Sequence, residues 1–169
     1  MAEIRSIGLA SIKLGAIAVD GGMSTALAAL GVTYQDTAEM VREDPEITEI
    51  YSEENDDPEE VLETRGPAIV RWSIMNVDPD EVVRVLGGEV TGTTDKVYHS
   101  PVSKDPIELS LEIITKSGLK IEIPRAKINA KENFQFRKKG VLLIDIEARV
   151  LTPTKIDTAP ISWSKVPQT

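Results

Sequence analysis

Cysteine is absent from the 169 residues, which excludes disulfides, thiolate metal sites and cysteine nucleophiles together. Histidine occurs once, as His99, in the loop context Tyr98-His99-Ser100-Pro101. Nucleophilic catalysis needs a base beside its nucleophile, and one imidazole without a clustered partner reads as a solvated loop side chain. Aromatic residues make up only 4% of the chain. That leaves few of the ring platforms on which carbohydrates and single-stranded nucleic acids stack. No apolar run reaches the length of a membrane span. Glu3, Arg5 and Lys13 interrupt residues 1–22 and no small-residue cleavage site follows, so the chain is expected to be soluble and to carry no targeting segment.

Hydrophobic residues, at 41%, are sufficient for one domain with a core. The formal net charge of −9 gives a general surface that repels phosphate. The clearest local signal is a helix over about 78–86. Asp78 is a suitable N-cap, Glu81 sits at the capping-box position, and Pro79 occupies the first helical position. Gly87 and Gly88 supply the stop. Pro79, Val82, Val83 and Leu86 form an apolar stripe, with Asp80 and Arg84 spaced to pair on the other side. A helix this short needs a larger surface to lie on, and a sheet is expected.

Alternation predicts strands around residues 12–18, 32–41, 47–52 and 68–77, with a short helical turn after Ser24, while residues 61–65 read as a strand or, after Pro58, a helix. Val90 to Thr94 reads as a short strand or turn, followed by a loop through Pro101 and Pro106. The last third reads as a meander. Ile107 to Ile113 and Leu119 to Ile123 are joined at Ser117-Gly118, another strand covers 126–130, and a closing strand over 142–150 is the longest. The class is mostly β, an antiparallel sandwich or small barrel with one flanking helix. The expected division is an N-terminal arm with a helical turn over 1–31, a β domain over 32–153 and a tail over 154–169. Trp163 is a candidate anchor for that tail.

Chemistry finds little to work with. Gly22-Met23-Ser24-Thr25-Ala26 lacks the second glycine of a nucleophile elbow, and Gly87-Gly88 ends a helix instead of opening one. Glu53, Glu54, Asp56 and Asp57 are numerous enough for Ca²⁺ but lack the EF-hand order and its glycine. Paired acids for glycoside hydrolysis would lack a sugar platform, since Trp72 and Trp163 are the only tryptophans. No catalytic, cofactor or metal residue is assigned, and no enzyme is expected.

Charge is unevenly spread. Residues 36–63 hold thirteen acidic residues against one base, Arg42, while residues 104–139 hold nine bases against five acids. A subunit of this kind repels its own like face and associates head to tail. Such contacts close into rings or propagate as filaments, and open sheet edges favour the same outcome.

Three stretches resemble phage major tail tube proteins and their relatives in contractile injection and type VI secretion tubes. They are Ile47 to Ser52 with its acidic loop, Ala68 to Val77 leading into Asp78 to Gly88, and Val141 to Leu151 with Thr152-Pro153. The resemblance spans most of residues 35–153. It implies a sandwich or barrel with a flanking helix, forming hexameric rings that stack into a hollow conduit for DNA. Partners would be further copies and other phage tail proteins, in the virion tail and, during assembly, the host cytoplasm. The family's inter-ring loop maps here onto Glu53, Glu54, Asn55, Asp56, Asp57, Glu59 and Glu60, whose counterpart would lie within residues 104–139 of the next ring. Asp145 and Glu147 become candidates to line the bore, where an acidic wall lets DNA pass without gripping it. Two other readings stay open: another virion component, such as a terminator, connector or decoration protein, and a calcium-dependent ligand-binding β domain.

Overall fold

The computed structural model describes residues 7–75 and 78–166, and within them the alternating runs become strands. In chain order these are β1 (Leu9–Gly15), β2 (Ala28–Ala29), β3 (Glu39–Arg42), β4 (Glu46–Ile50), β5 (Glu60–Thr64) and β6 (Ala68–Ile74). Helix α1 (Pro79–Leu86) follows. Then come β7 (Glu89–Thr91), β8 (Val97–His99), β9 (Ile107–Thr115), β10 (Leu119–Phe134), β11 (Leu142–Val150) and β12 (Ser162–Lys165). The fold is mostly β and antiparallel, with one helix among the described residues. That helix is too short and polar to cross a membrane.

Eight strands form one sheet in the order β2-β1-β9-β10-β11-β6-β3, with β12 on the outer part of β10. One face carries the core: Leu14, Leu111, Ile123, Ile128, Ile144 and Trp72 are all buried there. The sheet coils around that face. Ala28 and Ala29 pair with β1 at one end, while Thr33 bridges to Ile74 on β6 near the other. Tyr34 N donates to Ser73 O at 2.8 Å and Met75 N to Val32 O at 2.9 Å. Residues 28–34 therefore tie the two ends together, and one curled sheet makes a sandwich-like barrel around a single core.

Curling needs a bend, which β10 supplies. Its register with β9 shifts between Ile123 and Ala126, where Pro124 has no amide to give the ladder. Ser110 Oγ donates to Pro124 O at 2.7 Å, and Arg125 reaches Glu108 through two bonds of 2.8 and 3.0 Å. That guanidinium holds the Glu108 carboxyl below the ordinary carboxylate range. The stretches 119–123 and 126–130, read as two strands, are thus one strand of 16 residues bent at a bulge. It replaces the nine-residue β11 as the longest.

Several other expectations are corrected. Residues 25–30 form no helix: Ser24 Oγ accepts from Ala26 N at 3.2 Å in a turn, after which Ala28–Ala29 run extended along β1. A ladder edge outcompetes a six-residue helix. The first strand stops at Gly15 instead of reaching Ala18, and the run 32–41 is broken at Asp36, which has a φ of 59°. Strand β8 falls inside the expected loop, and β6 ends at Ile74. Asn76 and Val77, placed in that strand from sequence, lie outside the described residues. Strands β1, β2 and β12 belong to the same sheet as β3, β6, β9, β10 and β11. Trp163 lies on β12, paired with Ile121 of β10, and its side chain is 65% exposed.

Helix α1 begins as read, with Asp78 accepting from Asp80 N at 3.0 Å and Pro79 in the first turn. Its buried face is Val82, Val85 and Leu86, with Val83 and Pro79 only partly covered. The arc centres on Val82, from which Val85 turns about 60° and Val83 about 100°. The Glu81 Oε2 is buried with no hydrogen-bond partner. Asp80 pairs with Lys96, not Arg84.

Arg84 turns instead to the sheet. Its Nη2 donates to Leu14 O at 2.7 Å and Ala28 O at 3.4 Å, and its Nη1 to Ala29 O at 3.3 Å. The planar fork thereby joins α1 to the β1–β2 edge. Arg84→Ala is expected to lower stability by about 1–3 kcal/mol in urea denaturation, with incomplete rescue by Arg84→Lys, whose ammonium lacks the fork.

Candidate interaction surface

Strands β3 and β6 pair from Glu39↔Arg71 to Arg42↔Ala68, and Glu43 N donates to Pro67 O at 3.0 Å one step further on. There the ladder leaves the sheet. Arg42 Nη1 donates to Gly66 O at 2.9 Å, and a Cβ at Gly66 would lie 2.1 Å from Glu43 O. Only glycine lets the two chains approach this closely. Beyond this neck β4 and β5 form a two-stranded sheet of their own, from Glu46↔Thr64 to Ile50↔Glu60.

This ribbon, residues 46–64, is an arm. Every residue in it is exposed except Ser52. Directly opposed residues share a face, so Ile50 and Leu62 lie on one side, and Ile47, Tyr51 and Val61 on the other. Ile47 is 58% and Leu62 48% exposed, so neither side is covered. A lone two-stranded ribbon is marginal in water, and one with apolar side chains on both faces calls for a partner.

The arm also concentrates the charge. It holds nine of the 28 acidic residues and no Lys or Arg, leaving 19 acids against 19 bases in the rest of the chain. The whole formal net charge of −9 therefore resides in this one projection.

All of the sequence-predicted loop residues fall at its outer end. Glu53, Glu54, Asn55, Asp56, Asp57 and Glu59 form the turn, and Glu60 opens β5. The turn is braced at Glu59, whose N donates to Ile50 O at 2.8 Å. Asn55 Nδ2 at 2.6 Å and Ser52 Oγ at 3.0 Å both donate to its carboxylate, holding it below the ordinary range. The Tyr51 hydroxyl donates to Glu49, which pushes its pKa up. Among the described residues, no three His, Asp or Glu side chains converge to hold a metal.

Asp145 and Glu147 lie elsewhere, on the outer face of the main sheet. Ser73 Oγ at 2.5 Å and Asn133 Nδ2 at 3.0 Å donate to Asp145, and Arg71 Nε donates to Glu147 at 3.1 Å. Lys131 stands opposite Asp145, and Lys127 opposite Arg149, so this face is of mixed sign. A cleft of about 820 Å³ runs between β1 and the 29–40 segment and is walled by Leu9, Ile12, Met40 and Val70.

Sequence reasoning found the acids of the arm but missed its apolar side chains. Their signal was the want of a common parity: Ile47 and Ile50 alternate faces, as do Val61 and Leu62. In comparisons with known proteins, no family model and no curated sequence matches the chain.

Proposed function

We propose that the protein is a structural subunit that assembles with copies of itself, as a phage tail tube subunit whose stacked hexameric rings form a hollow conduit for DNA. The observation that carries this is the arm, a ribbon exposed on both faces that holds the chain's entire net charge. Two such arms repel each other, so an arm meets a different surface of the next copy. Contacts between unlike surfaces propagate or close into rings. The outer edges of β2 and β3 are unpaired among the described residues and offer lateral contacts. Outside the arm bases and acids balance, which suits a wall past which DNA slides without being held. The bore-lining role of Asp145 and Glu147 belongs to this reading.

Negative-stain electron microscopy over a rising concentration series tests it. Tubes or stacked rings are expected at the high end. Closed single rings that never stack would point instead to a terminator or connector. Single particles at every concentration, with and without a crowding agent, would overturn the self-assembly reading.

A further inference from the structure

The register of β6 sets the two ends of the molecule apart. At the start of β6, Ile69 pairs with Arg149 and Ala68 with Arg42, and the arm departs just before it at Gly66. At its other end Ile74 pairs with Ile144, and β10 and β11 run on to Phe134↔Leu142. Six strand steps separate these ends, about 20 Å. The arm and the β10–β11 turn thus project from opposite poles.

The far pole complements the arm in two respects. Residues 131–139 are all exposed. Phe134 and Phe136 stack edge to face with centroids 6.3 Å apart, and Phe136 is 85% exposed with Leu142 half-open in the same hairpin. Arg137, Lys138 and Lys139 fill the turn, and together with Lys131 they make no ion pair with another described residue. The pole is therefore apolar and basic where the arm is apolar and acidic.

We propose that the end of the β10–β11 hairpin, built from Phe134, Phe136 and Leu142 with Arg137, Lys138 and Lys139, is the surface that receives the arm of the next copy. The inference rests on the self-assembly reading and names its contact. The aliphatic side chains of the arm cover the two rings, while Glu53, Glu54, Asp56 and Asp57 meet the three bases. Opposite poles prevent the pair from closing within one chain, and like charge prevents arm from meeting arm. The contact is head to tail. Rings and bases together also fit single-stranded nucleic acid. A second copy is favoured because the chain itself supplies a projection of matching shape, charge and apolar content, present in equal number.

The test is a charge exchange followed by sedimentation velocity. The triple variant R137E/K138E/K139E is expected to weaken association about a hundredfold while leaving Tm unchanged, since all three side chains are exposed. The arm variant E53K/E54K/D56K/D57K is expected to do the same. The two sets combined in one chain should restore association to within about tenfold of the wild type. Wild-type assembly that survives the tip reversal overturns this contact and leaves self-assembly standing. Failure of the wild type to associate at all overturns both. Oligo(dT) binding that is lost in the tip variant while association is unchanged would assign the hairpin to nucleic acid instead.

Discussion

Removing the arm is expected to abolish assembly and leave the fold intact. The variant replaces residues 46–64 by Asn-Gly between Pro45 and Arg65. The cut falls beyond the last ladder bond at Glu43 N, and Asn-Gly closes two antiparallel strands in a tight turn. No residue of the hydrophobic core lies in the deleted stretch, so Tm should stay within about 2 °C of the parent. Light scattering and electron microscopy should show no higher-order particles at any concentration. The truncated chain has no formal net charge, so solubility near neutral pH should also fall, through loss of the repulsion that keeps molecules apart. A collapse in Tm would mean that the arm is part of the folding unit. Unchanged assembly would mean that it is not the joining element.

The second large effect is expected at Trp72, which is 1% exposed and lies in the core opposite Ile146. Trp72→Ala empties the widest side chain in the barrel and should lower stability by about 3–5 kcal/mol. Set against a total of about 5–15 kcal/mol, that is enough to leave much of the protein unfolded on modest warming. Trp72→Phe should be far milder. The indole Nε1 has no hydrogen-bond partner in its buried position, and removing an unmet donor recovers about 1–3 kcal/mol of what the lost volume takes away. Urea denaturation followed by circular dichroism measures both. Equal losses in the two variants would show that the indole nitrogen is satisfied, by a buried water for instance.

What could be read beforehand depended on how local the determining forces were. Helix α1 was legible because its N-cap, its proline and its glycine stop lie within eleven residues of each other. The strands of the last third were legible from strict alternation over a core. Mistakes arose where distant partners decide. Ala28–Ala29 became a strand because β1 offered an edge, and the Leu14, Ala28 and Ala29 carbonyls drew Arg84 away from Asp80. The stretches on either side of Pro124 merged because a coiling sheet needs a bulge there. For the surface, acidic residues announce themselves in composition, whereas exposed Ile47 and Leu62 look like core until the ribbon is seen to have no covered side.

A body with balanced charges and one projection holding all of the excess is a strong electric dipole, its axis running along the strands. Two such molecules sense one another's orientation before they touch, so they arrive in line instead of searching through misaligned encounters. Dissolved salt shortens that sensing range to about 8 Å near physiological strength. The rate at which chains of copies begin to grow should therefore be far more sensitive to ionic strength than the spacing of the finished repeat.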